Sequence, residues 1–92
     1  MTVRFTLEAL THIAGIHFFI QQASPRAAAH VVARIFAEAD HLGEFPQLGR
    51  IGAVPGAYEW TVSGLPYIMV HEVDDDRDQL VVIGVFDGAQ DR

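Results

Sequence analysis

An α+β fold with the order β-α-α-β-β-β is predicted by three features of this 92-residue sequence. Two apolar stripes at helical spacing flank a Ser24-Pro25 boundary, three strand-like runs fill the second half, and turn-forming residues separate those runs. The helices form an N-terminal hairpin packed on one face of an antiparallel sheet. The length suits one domain, residues 1–92, and is too short for two.

Thr2-Val3-Arg4-Phe5 alternates polar and apolar residues, as a short strand does, and Thr6 is placed to cap a following helix. Leu10, Ile13, Ile16, Phe19 and Ile20 give a helix from Leu7 to about Gln22, with Gly15 and Phe18 blurring its stripe. At Ser24-Pro25 a favoured N-cap precedes a proline whose missing N–H costs nothing at the first helical position. The second helix carries Ala28, Val31, Val32, Ile35, Phe36, Ala39 and Leu42 on one face, and Gly43 stands where a left-handed terminating residue is expected.

Glu44 to Gly56, with Pro46, Pro55, Gly49, Gly52 and Gly56, reads as a connecting loop. Strands follow at Ala57–Val62, Tyr67–Val73 and Gln79–Phe86, joined by the hairpin turns Ser63–Pro66 and Asp74–Asp78. Alternation puts Ile68, Val70, Val81, Ile83 and Val85 on one face, and Tyr58, Trp60, Val62, Tyr67, Met69, Val73, Leu80, Val82 and Phe86 on the other. Two short helices cover one face, so apolar surface is expected to stay open, and such a patch marks an interaction site. The alternative is a curled sheet that buries both faces.

Composition excludes several classes of function. Without cysteine there is no disulfide, thiolate metal site or cysteine nucleophile. No apolar run is long enough for a membrane span, and a cytoplasmic protein is expected. Twelve acidic residues against six basic ones, all arginine, leave a charge of −6, which opposes nucleic-acid binding. His12, His17, His30, His41 and His71 show no i, i+4 pairing, so no metal or other cofactor is expected. Asp74-Asp75-Asp76-Arg77-Asp78 lacks the ligand pattern of a calcium loop and reads as a solvated tip.

Two candidate sites remain. Tyr58, Trp60, Tyr67, Met69 and Phe86 are residue types that dominate protein interfaces, with core packing as the alternative. Glu59, His71 and Asp87 are the acid–base set that adjacent strands could bring together, with simple cross-strand contact as the alternative.

Ser24-Pro25-Arg26-Ala27-Ala28, Phe45-Pro46-Gln47-Leu48-Gly49-Arg50, Gly56-Ala57-Tyr58-Glu59-Trp60, Leu65-Pro66-Tyr67-Ile68-Met69-Val70 and the ending Val85 to Arg92, in this order, resemble the ParE/RelE superfamily of toxins from type II toxin–antitoxin systems. The resemblance implies a toxin held inactive when an antitoxin segment wraps around it, in a hetero-oligomer with a ParD-like antitoxin. RelE-like members cut messenger RNA on the ribosome, and ParE-like members poison DNA gyrase; the ending Gly88-Ala89-Gln90-Asp91-Arg92 is closer to the ParE side.

The departures point the same way. Tyr58 stands where the superfamily commonly has arginine, Glu72 where another arginine is common, and Asp87 where a histidine is common. RNA cleavage needs an acid, a base and a cation at the scissile phosphate. If the chain were a nuclease, Glu59, His71 and Arg50 would have to supply them, so a non-enzymatic toxin is the expectation, with RNA cleavage or a non-toxic antitoxin binder as alternatives.

Overall fold

The computed structural model describes residues 1–88. Strand β1 (Thr2–Phe5) leads into helices α1 (Leu7–Gln21) and α2 (Pro25–Glu44), a 3-10 turn (Pro46–Leu48), and strands β2 (Arg50–Ile51), β3 (Tyr58–Thr61), β4 (Tyr67–Asp74) and β5 (Gln79–Asp87). The sheet runs β1-β5-β4-β3-β2. No helix of the described residues is long and apolar enough to cross a membrane.

Both helix starts follow the local chemistry of the sequence. The Thr6 hydroxyl accepts from the Ala9 N–H at 3.1 Å, and the Ser24 hydroxyl accepts from the Ala27 N–H at 3.1 Å. Gly43 does not end α2 in a left-handed conformation, as its position suggested; the helix continues to Glu44. It serves close packing instead, because a Cβ there would stand 2.6 Å from Val3 Cγ2.

The sheet is mixed rather than antiparallel. β1 lies parallel to β5, while the other pairs are antiparallel. A strand followed directly by a helical hairpin has no sequence neighbour to pair with, so its place falls beside the last strand, whose direction it shares. The expected loop also contains a strand: Arg50 and Ile51 pair with Glu59 and Tyr58.

One residue changes the two faces. Up to Val70 and Gly84 the β4–β5 pairing is regular, and from His71 and Val82 onward it is shifted, which leaves Ile83 as a bulge. Val85 therefore joins Met69 under the helices and Phe86 falls on the Ile68 side, opposite to strict alternation. Ile35, Leu42, Val62, Met69, Leu80 and Val82 form the centre of the core.

The far face is closed as well. Ile68, Val70 and Val81 are buried, so the open apolar sheet face expected from alternation is not there. The Gly52–Ala57 segment folds over Glu59, with the Ala53 N–H donating to its carboxylate at 3.3 Å and Ala57 buried, and Gly88 lies against Ile68.

Candidate partner-binding surface

The open apolar surface belongs to α1. With 3.6 residues per turn, Ala9, Ile13, Ile16 and Ile20 share the inward face, where Ala9 and Ile13 are buried and Ile16 and Ile20 pack partly against the core. Leu7, Leu10, Ala14 and Phe18 share the outward face, and Phe19 projects beside it. Leu7 and Phe19 are each 76% exposed and Phe18 is 62% exposed. Glu8 is the sole Asp, Glu, Lys or Arg in the helix. A helix apolar all round belongs in a core or under a partner, and the described chain supplies only one side of that cover. The expected stripe counted Leu10 and Phe19 as core, but both are exposed.

α1 also closes an edge. Beyond Val82 strand β5 loses β1 as its neighbour, and the helix takes over: Thr6 donates its N–H to the Val82 carbonyl at 3.0 Å, and the Val85 N–H donates to His12 Nδ1 at 3.2 Å. The His12 ring packs 4.8 Å from that of Phe86. A groove lies along this seam, lined by His12, Gly15, Phe19, Tyr67, Phe86 and Asp87 among others. Burial and the Asp87 charge push the Tyr67 phenol above its ordinary range, which keeps it a neutral donor.

The five residues expected to form one interface do not lie together. Met69 is fully buried in the core, because its register partner Val85 and the helices enclose it. Trp60 is half-buried and ties α2 to the sheet: its indole N–H donates to Glu38 at 2.9 Å, and Arg34 bridges Glu38 at 3.4 Å and the Ser63 carbonyl at 2.9 Å. Tyr67 is half-buried, whereas Tyr58 and Phe86 are each 38% exposed at separate places. Tyr58 lies by His71 and Gly49, and Phe86 lies by His12.

The acid–base set also separates. Glu59 pairs with Val70 and His71 with Tyr58, so the two project from opposite faces of the sheet. His71 is wholly inaccessible, and burial lowers its proton affinity. Arg50 is exposed and stands opposite Glu59 in the β2–β3 register. Asp87 pairs with Tyr67 at the other end of β4, four positions from His71. Among the described residues no three His, Cys, Asp or Glu side chains gather closely enough to hold a metal ion. Asp74, at the β4–β5 tip, is held below the usual carboxylate range by Arg77, which bonds it at 3.0 Å.

Comparison with known proteins gives the family and the fold. The family described as "ParE toxin of type II toxin-antitoxin system, parDE" matches residues 3–92. A relative from Sinorhizobium fredii (strain NBRC 101917 / NGR234), named "Putative toxin Y4kP", is 37% identical over 81 residues, covering 88% of this chain and 84% of that protein. Among solved structures, the chromosomal ParDE system from P. aeruginosa superposes with a TM-score of 0.80 at 19% identity over 92% of each chain. The isolated E. coli RelE toxin gives 0.72 at 16% identity over 99% of this chain and 87% of its own. At these identities the structural likeness shows a shared fold. By the family match across nearly its whole length, and by its similarity to a curated toxin, the chain belongs to the ParE toxin family of type II toxin–antitoxin systems.

Proposed function

We propose that this toxin acts by binding a protein, with DNA gyrase as its target, and that a ParD-like antitoxin neutralises it in the cytoplasm by covering α1. The observation that carries the non-enzymatic reading is the placement of Glu59 and His71 on opposite sheet faces, one under a loop and the other wholly buried. No single phosphate can reach both, so a general acid–base pair of these residues cannot act across one scissile bond. The cations needed beside it are scarce. The chain has no lysine, and two of its six arginines, Arg34 and Arg77, are engaged with Glu38 and Asp74.

The antitoxin contact rests on the outward face of α1 and its flank at Phe19. Leu7, Leu10, Phe18 and Phe19 offer two large aromatic anchors and two leucines on a rigid helix almost free of charge, which suits an amphipathic segment laid along it. The chain's net charge of −6 favours encounter with a basic segment. Solved complexes of similar fold include the E. coli RelBE toxin–antitoxin complex and RelBE2 from Mycobacterium tuberculosis.

The reading as a RelE-like ribonuclease keeps one feature, the exposed Arg50 opposite Glu59. Induced expression without the antitoxin separates the readings. Growth arrest with gyrase-dependent DNA damage and intact transcripts is the expected result. Transcript cleavage would replace the gyrase reading with the nuclease one, and normal growth with folded protein present would leave an antitoxin binder without toxicity.

A further inference from the structure

His71 is a buried base whose ring nitrogens find no hydrogen-bond partner of ordinary geometry among the described residues. Its side chain is wholly inaccessible, and neither Nδ1 nor Nε2 is bonded. An unbonded buried polar group lacks the stabilisation that water would give it, which makes the site a weak point in the fold. The elements around it are specific. β5 sets Val82 beside it, β3 sets Tyr58 beside it with the rings 6.0 Å apart, and Gly49 closes the remaining edge. A Cβ on Gly49 would stand 2.6 Å from His71 Cε1 and 2.7 Å from Nε2, so the lid over the imidazole fits only because glycine has no side chain. Gly49 joins the 3-10 turn to β2, and a cleft bordered by Met1, Pro46, Gln47 and Tyr58 lies along the same junction.

The charged and titratable groups of the surrounding elements are few. β3 brings the Tyr58 phenol, β2 brings Arg50, the β4–β5 turn brings Asp75 to the cleft, and β5 brings only Val82. Glu72 follows His71 in β4 and points to the opposite face. The Met1 ammonium donates to the Gly43 carbonyl at 2.8 Å, and α2 ends at Glu44 just before the 3-10 turn, with the His41 ring packed 5.3 Å from Phe45. None of these groups bonds to the His71 ring nitrogens.

We propose that His71 is a proton-operated latch on the Pro46–Ile51 segment. Neutral, the imidazole fills the space beneath Gly49. Protonated, it carries two N–H donors and a charge that the site leaves unsolvated, and the lid of least bulk between it and water is the backbone at Gly49. Lifting this segment carries with it Leu48 and Ile51, which are already exposed, and unpairs β2 from β3.

Burial holds the proton affinity of the closed state below the ordinary 6.5; the nearby Met69 backbone, too poorly aligned for a hydrogen bond of ordinary geometry, offsets only part of that shift. The open state regains the ordinary value and so takes up a proton on opening. The closed segment is therefore fully stabilised above about pH 6.5 and loses that stability as the pH falls below it.

The test is amide hydrogen exchange between pH 7.5 and 5.0, corrected for the intrinsic pH dependence of exchange. Protection of the Arg50 and Glu59 amides, through which β2 pairs with β3, is expected to fall as the pH drops below 6.5, by at most about ten-fold per unit, while that of Ile35 to Leu42 in α2 stays constant. His71→Leu is expected to abolish the dependence and His41→Gln to retain it. Protection independent of pH, a dependence that survives His71→Leu, or one that vanishes in His41→Gln would each overturn the latch. Should His71→Leu fail to fold, NMR titration of the wild-type chain decides. A shared midpoint for the His71 ring and the Gly49 amide supports the latch, and a ring that titrates without the amide, or stays neutral until the whole chain unfolds, refutes it.

Discussion

The two helices of the hairpin are neighbours in sequence and in space, yet they are built for different tasks. α2 is amphipathic: Ala28, Val31, Ile35, Ala39 and Leu42 are buried along one face, and Arg34 and Glu38 reach from its flank to Ser63 and Trp60. α1 is apolar on nearly every face, and its burial of Ala9 and Ile13 leaves Leu7, Leu10, Phe18 and Phe19 in water. The contrast teaches that a helix whose pattern fails to pick a face can still be well placed, with surplus apolar surface left exposed that the proposed function gives to a partner. On this account α2 is the frame and α1 the contact.

The largest effect is expected at the frame. Ile35→Ala removes a fully buried side chain from the centre of α2 and is expected to cost about 2–5 kcal/mol, measured by thermal or urea unfolding. For a domain of this size that is much of its stability. A loss below 1 kcal/mol would mean that α2 is not the frame.

The contact comes next. The double substitution Phe18→Ser, Phe19→Ser is expected to weaken antitoxin binding by about 2 kcal/mol or more, roughly thirty-fold, in calorimetric titration. Its unfolding free energy should move by no more than about 0.5 kcal/mol, as for exposed positions.

Trp60 sharpens the comparison, since by residue type it belongs with interface anchors and by geometry with the frame. Trp60→Phe removes the indole hydrogen bond to Glu38 and is expected to lower stability by about 1–2 kcal/mol with antitoxin affinity unchanged. A loss of affinity with stability intact would return Trp60 to the interface. The smallest effect is expected at the solvated β4–β5 tip. The Asp74 carboxyl is depressed by Arg77, so any contribution is present above its ordinary 3.8 and lost as the pH falls below it. Asp74→Asn should leave the melting temperature at pH 7 within measurement error, because the pair is exposed.

What the sequence made legible was written in local chemistry. The Thr6 and Ser24 caps, the α2 stripe and both hairpin turns follow from neighbouring residues, and each appears where those residues place it. What it concealed depends on distant pairing. The bulge at Ile83 exchanges the faces of Val85 and Phe86, and nothing in Val-Val-Ile-Gly-Val-Phe distinguishes the bulged residue from its neighbours. β2 is two residues long within a segment rich in glycine and proline, and it becomes a strand only because Glu59 and Tyr58 offer it an edge. The parallel β1–β5 pair joins the two ends of the described chain, which no local pattern encodes.

The candidate site was obscured for related reasons. Met69 and Trp60 have the side chains of interface residues, and only the register and the Glu38 bond show that they serve the core. Phe18 was visible as a blur in the α1 stripe, whereas Phe19 was counted within the stripe and proved exposed. Read as an excess of apolar residues over what one face can bury, that blur was the signal for the exposed surface.

The most direct test of the central claim is a hydrogen-exchange or side-chain footprint of the toxin with and without its antitoxin. Protection is expected at Leu7, Leu10 and Phe18 on the outward face of α1 and at Phe19 on its flank, with the solvent-facing side of α2 around Ala29, Arg26 and Ala37 unchanged. Protection confined to the β2–β3 end of the sheet, with Phe18 and Phe19 as reactive in the complex as in the free chain, would contradict it.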